Sequence, residues 1–171
     1  MSEKIDILIL MGSDSDWKVM SEAAQLLDNF STAYEARVSS AHRTPERTLE
    51  LVRDAEKRGC KVIIAGAGAA AHLAGVVAGH TLLPVIGIPL NATALQGMDA
   101  LLATVQMPAG IPVASMAIGK AGATNAAIFA LQILASADKE IAQQLADYRR
   151  NMTAKVESKD QRLQELRLKK E

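Results

Sequence analysis

The chain has 171 residues, 49% hydrophobic and 22% charged, with 19 Lys and Arg balanced by 19 Asp and Glu. That is the composition of one globular domain with a sizeable core, and zero net charge gives no support to nucleic-acid or anionic-membrane binding. Cys60 is the only cysteine, so no internal disulfide can form. No apolar run approaches the ~20 residues that span a bilayer, and the N-terminal run is too short and too acidic for a signal peptide, so a cytoplasmic protein is expected.

The first element in chain order is KIDILILMG, rich in Ile and Leu and closed by glycine, which predicts a strand buried on both faces. Residues 16–29 follow as a helix with Val19, Met20, Ala23, Leu26 and Leu27 on one side. AYEARVSS is a second strand. Thr44 is placed as an N-cap with Pro45 at the first helical position, and this helix runs to Arg58 and stops at Gly59. KVIIAGAG is a third strand, continued by a small-residue helix through His72. PVIGIPL is a fourth strand, IPVASMAI a fifth, and residues 122–134 an alanine-rich helix. Met98, Met107 and Met116 are expected to fill the core or an interface.

Strands alternating with helices imply a parallel sheet covered on both faces, hence a three-layer α-β-α doubly wound domain, with flavodoxin-like strand order expected. No repeat or linker divides the chain, so residues 1–150 read as one domain and 151–171 as a charged helical extension. Ile141, Leu145, Tyr148 and Met152 recur at spacings of four, three and four, giving a narrow apolar stripe. A projecting helix with such a stripe is expected to pack on a partner subunit; the alternative is packing on its own domain.

In an open parallel sheet, ligands bind beyond the carboxyl ends of the strands. Three of those ends carry polar or glycine-rich loops. In GSDSDW, Ser13 and Ser15 offer hydroxyls and N–H groups at a helix start, and Asp16 can accept from a sugar hydroxyl; helix capping alone is the competing use. In SSAHRTP, Arg43 can hold a phosphate and His42 can move a proton near neutral pH, against a surface histidine and a loop ion pair. GAGAAAH formally matches the dinucleotide fingerprint, but it follows the third strand and no acid ends the next one. Its small residues, Gly68 among them, are better suited to bringing bare backbone close to a flat ligand. His42, His72 and His80 lack metal-ligand spacing, which leaves His72 and His80 as structural or supporting residues.

The segments MGSDSDW, SSAHRTP, IIAGAGAAAHL, LPVIGIPL, VQMPAGIPVASMAIG and GKAGATNAA resemble the 5-(carboxyamino)imidazole ribonucleotide mutase family of purine biosynthesis (the PurE family, class I). The resemblance covers about residues 5–148. It implies a flavodoxin-like domain assembled as a homo-octamer, with the C-terminal helix reaching a neighbour. It implies an isomerase that moves a carboxylate from the exocyclic nitrogen of an aminoimidazole ribotide to ring carbon four, with no metal, biotin or ATP. His42 matches the family's general acid–base; Ser13, Asp16 and Arg43 match substrate-binding positions, and Ser15, Ser40, Gly68 and His72 line the same region. Ala69 and Ala74 stand where the family has glycine and proline. Two competing readings are a carboxylase using free carbon dioxide, which typically has lysine after the histidine, and a non-catalytic ribotide- or flavin-binding module, which would not need His42.

Overall fold

The computed structural model describes residues 3–168, so residues 169–171 of the expected extension lie outside it. Five strands form one all-parallel sheet in the order β2-β1-β3-β4-β5: β1 Ile7–Met11, β2 Tyr34–Val38, β3 Val62–Gly68, β4 Val85–Leu90 and β5 Ala114–Ser115. The helices are α1 Trp17–Asn29, α2 Pro45–Lys57, α3 Leu73–Ala78, α4 Met98–Val105, α5 Lys120–Ala135 and α6 Lys139–Leu168. This is the expected doubly wound, flavodoxin-like order.

Strand β1 shows why the sheet is central. All five of its side chains are buried, alternating between two apolar layers. Ile7, Ile9 and Met11 join the layer containing α1 and α5, and Leu8 and Leu10 the layer under α2 and α3. Each such side chain is worth roughly 1.5–3 kcal/mol by burial, which fixes β1 between β2 and β3. Pairing Met11 with Val38 on one side and Gly66 on the other brings the ends of the three strands level. The loops that follow are therefore neighbours.

Local chemistry explains most boundaries. Gly59, at φ +90°, stops α2 where an L side chain would be strained. Pro45 opens α2, where its missing N–H costs no helical bond. Thr44 occupies the N-cap, but its hydroxyl does not cap. It accepts from the Ser40 N–H (3.0 Å) and donates to the Ser40 carbonyl (3.1 Å), tying the preceding loop instead. A short 3-10 turn, Asp14–Asp16, precedes α1, so that helix begins one residue later than expected.

Four expectations are corrected. The third strand does not lead directly into a helix through His72: residues 69–72 form a loop in which Ala69 takes φ +53°, and α3 begins at Leu73. The fifth strand shrinks to Ala114–Ser115 beside Pro112, which has no ladder donor, although the Met116 and Gly119 N–H groups still reach the Gly87 and Pro89 carbonyls (both 2.9 Å). Helix α4 was not anticipated; Met98 within it is 51% exposed, which leaves an interface, of the two uses expected for it, and Met116 packs against the core. Finally, Ile141, Leu145 and Tyr148 of α6 pack against their own domain, with the Tyr148 ring 5.9 Å from that of Phe30. The stripe leaves that cover at Met152, and every residue from 149 to 167 is exposed.

No helix among the described residues is long and apolar enough to cross a membrane. Cys60 is buried and free.

Candidate active site

The loops after β1, β2 and β3 enclose a cavity of about 370 Å³ at the carboxyl edge of the sheet. Ser13, Ser15 and Asp16 line it from the first loop, Ser40, His42 and Arg43 from the second, and Gly68 from the end of β3. Seven of the eight residues expected from the sequence therefore meet at one place, and the eighth, His72, stands against His42.

The first loop is ordered by its own polar groups. The Ser13 N–H donates to the Asp16 carboxylate (2.9 Å), and the Ser13 hydroxyl accepts from the Ser15 N–H (3.3 Å). The Ser15 hydroxyl is 2.9 Å from that of Ser13. Capping is thus a real use of these residues, yet it leaves them facing the cavity. Burial pushes the Asp16 carboxyl above its ordinary value; the backbone N–H groups of Ser13 and Gly12 pull it down, and Asp14 adds to the rise. A carboxylate short of solvent accepts strongly from a ligand hydroxyl.

The second loop is anchored from beneath. Ser39 is 2% exposed, and its hydroxyl lies 2.8 Å from that of Thr48 in α2. Arg43 crosses to the first loop, donating to the Gly12 carbonyl (3.1 Å) while its own N–H donates to the Ser40 hydroxyl (3.2 Å). This braces both loops and leaves part of the guanidinium fork at the cavity.

The third loop brings a partner that sequence spacing does not reveal. His42 Nε2 and His72 Nδ1 are 2.9 Å apart, with the rings edge to face at 85°. One of these nitrogens must carry the proton that joins them, so each ring fixes the other's tautomer. The left-handed Ala69 makes this possible: it turns the chain after β3, and close contacts from the Ala71 and His72 N–H groups to the Ala69 and Ala70 carbonyls (2.9 and 2.8 Å) hold the turn. His80, in contrast, is structural, with Nδ1 2.8 Å from the Val76 carbonyl.

Gly68 has a packing role in the wall. A Cβ there would lie 2.5 Å from the Cβ of Ala92, so the bare Cα lets the loop after β4 close on the cavity. Ala92 is one lining residue that the sequence did not single out; Ala41 is another. An alanine in a loop carries no chemical signal that could have marked it. Among the described residues, no three His, Cys, Asp or Glu side chains cluster as a metal set.

The cavity thus joins a proton-transfer group, an oriented cation, hydroxyls and a desolvated carboxylate against a small apolar wall. Comparison with known proteins places this arrangement. The family model described as AIR carboxylase matches residues 6–155. An N5-carboxyaminoimidazole ribonucleotide mutase of Pyrococcus horikoshii is 54% identical over 165 residues, covering 96% of this chain and 92% of that protein. The protein of that name from Bacillus subtilis is 53% identical over 154 residues, covering 90% and 95%. The crystal structure of Treponema denticola PurE superposes with a TM-score of 0.84 at 30% identity, covering 94% of this chain and 99% of that one. With the model spanning its whole sheet and relatives more than half identical over nine-tenths of its length, this chain belongs to the AIR carboxylase family.

Proposed function

We propose that the chain is an N5-carboxyaminoimidazole ribonucleotide mutase of purine biosynthesis, an isomerase that converts the N-carboxy ribotide into 4-carboxy-5-aminoimidazole ribonucleotide. The observation that carries this reading is the His42–His72 pair, 2.9 Å apart, at a cavity that also presents Arg43, Asp16 and three serines. A binding module has no use for a tautomer-locked histidine, whereas this reaction must add one proton and remove another.

The steps balance without a further reagent. His42 donates a proton to the exocyclic nitrogen as its bond to the carboxylate breaks, giving the free amine and carbon dioxide. The electron-rich ring carbon four then attacks the carbon dioxide, and the proton leaving that carbon returns to His42. His72 holds the His42 ring in register through both halves. Arg43 binds the phosphate with help from Ser13, Ser15 and Ser40, Asp16 accepts from the ribose, and the Gly68–Ala70 wall excludes water so that carbon dioxide is retained. The domain of residues 1–150 supplies all of these groups.

The same reading implies a homo-oligomer, an octamer by family resemblance, working in the cytoplasm. Met98, Leu102 and Val105 support it, because they recur at helical spacing on an exposed face of α4 (47–53%). Sedimentation of the full chain as a monomer would reject the assembly. The family's name points to the competing carboxylase, which would use the same cavity. Turnover of the carboxyamino ribotide with and without added bicarbonate separates the two. Full activity in bicarbonate-depleted buffer is expected, and a strict bicarbonate requirement would overturn the mutase in favour of the carboxylase.

A further inference from the structure

We propose that Arg47 supplies the second positive charge on the phosphate end of the ribotide, in a cavity that adjoins the active site behind Arg43. The inference rests on the ribotide reading above and names a residue that the reading leaves without a role.

A second cavity of about 430 Å³ shares Gly12, Ser13, Ser40 and Arg43 with the first. Arg43 is the charged side chain on their shared boundary. On its far side stand Val38, Ser39, Thr44 and Arg47, together with Asp14. His42, Asp16 and the wall at residues 67–70 do not reach this space. A ribotide with its ring beside His42 and its ribose beside Asp16 places its phosphate at Arg43, facing the second cavity.

The charges require more than Arg43. A phosphate monoester carries about −1.5 to −2 at neutral pH. Two carboxylates, Asp14 and Asp16, line the cavities, and Arg43 alone does not balance them, let alone the ligand. Arg43 has also committed donors to the Gly12 carbonyl and the Ser40 hydroxyl. Arg47 is the other guanidinium lining these cavities. It makes no hydrogen bond or ion pair with any described residue, so its donors remain free for a ligand. Its position is unfavourable for the helix itself: a cation in the first turn of α2 opposes the positive end of the helix dipole. A dianion bound between Arg43 and Arg47 reverses that penalty. Arg47 is thus a specificity-determining residue that favours the phosphorylated ligand over the free riboside.

The test compares the affinities of 5-aminoimidazole ribotide and its dephosphorylated riboside by calorimetry, in wild type, Arg47→Gln and Arg47→Lys. For an exposed cation on a phosphate, Arg47→Gln is expected to cut the ribotide-over-riboside preference ~5-fold or more. The loss should shrink as salt rises, and Arg47→Lys should restore most of it. Because Arg47 makes no hydrogen bond or ion pair with a described residue and sits at the positive end of the α2 dipole, Arg47→Gln should melt no lower than wild type, which removes misfolding as an explanation. An unchanged preference in Arg47→Gln, with wild type clearly favouring ribotide, would overturn the role of Arg47 and leave the mutase reading standing. A wild-type protein with no preference for ribotide would sink both.

Discussion

Replacing His42 with Asn tests the centre of the mechanism. Asparagine keeps a donor and roughly the same reach but cannot titrate. Asp16 is the other acid–base candidate on the cavity wall, on a different loop and tied to the Ser13 N–H at 2.9 Å, so it is poorly placed to substitute. General acid–base groups contribute ~10²–10⁴-fold, and in the proposed mechanism one ring serves both the protonation of nitrogen and the deprotonation of carbon. A fall in kcat of about 10³-fold or more is expected, equivalent to roughly 4 kcal/mol in the barrier. Ribotide affinity should survive, because the proposed phosphate and ribose contacts belong to other residues. The assay pairs conversion of the carboxyamino ribotide with ribotide titration and sedimentation, since a misassembled variant is also inactive. His72→Asn is the companion: it leaves the titrating ring in place but frees its tautomer, so a smaller loss with an altered pH profile is expected. Turnover of a correctly assembled His42→Asn protein within ~10-fold of wild type would refute the reasoning and move the proton to another group.

Three further outcomes follow from the backbone and the ion pairs. Ala69→Gly relieves a left-handed alanine, worth roughly 1–2 kcal/mol, against about 0.5–1 kcal/mol of added chain entropy, so thermal unfolding should rise by ~1–4 °C; a fall would show that the methyl packs better than the strain costs. Gly122→Ala would set a Cβ 1.7 Å from the Ala117 carbonyl oxygen, a backbone clash that outweighs the ~1 kcal/mol of helix propensity gained. A loss of ~1–3 kcal/mol or more in denaturant unfolding is expected. Burial pushes the Glu35 carboxyl up, but hydrogen bonds from Arg58 and Arg37 outweigh it and hold the group below its ordinary value. Glu35 therefore contributes stability above its unfolded pKa of 4.5, lost as pH falls through the depressed folded value; the melting difference from Glu35→Gln should be full near neutrality and close in acid.

What the sequence determined by itself was everything written in short-range pattern. The continuous apolar run ILILM required a strand buried on both faces, Pro45 and Gly59 bounded a helix, and alternation of strand and helix dictated the parallel sheet. The residues with distinctive chemistry in the loops, from Ser13 to Arg43, could be named because the carboxyl ends of such strands are where ligands bind. Tertiary structure decided what depends on residues distant in the chain. His42 and His72 are thirty positions apart, and only the adjacency of β1, β2 and β3, with a left-handed turn at Ala69, brings their rings together. Ala92 closes the cavity through its contact with the bare Cα of Gly68, a matter of fit that neither residue's chemistry announces. The stripe on α6 was legible as a stripe, but whether it covers a neighbour or its own core depends on where Phe30 stands, and it covers its own core as far as Tyr148. Periodicity says which faces must be buried; which surface buries them is settled only when the whole chain competes for the same contacts.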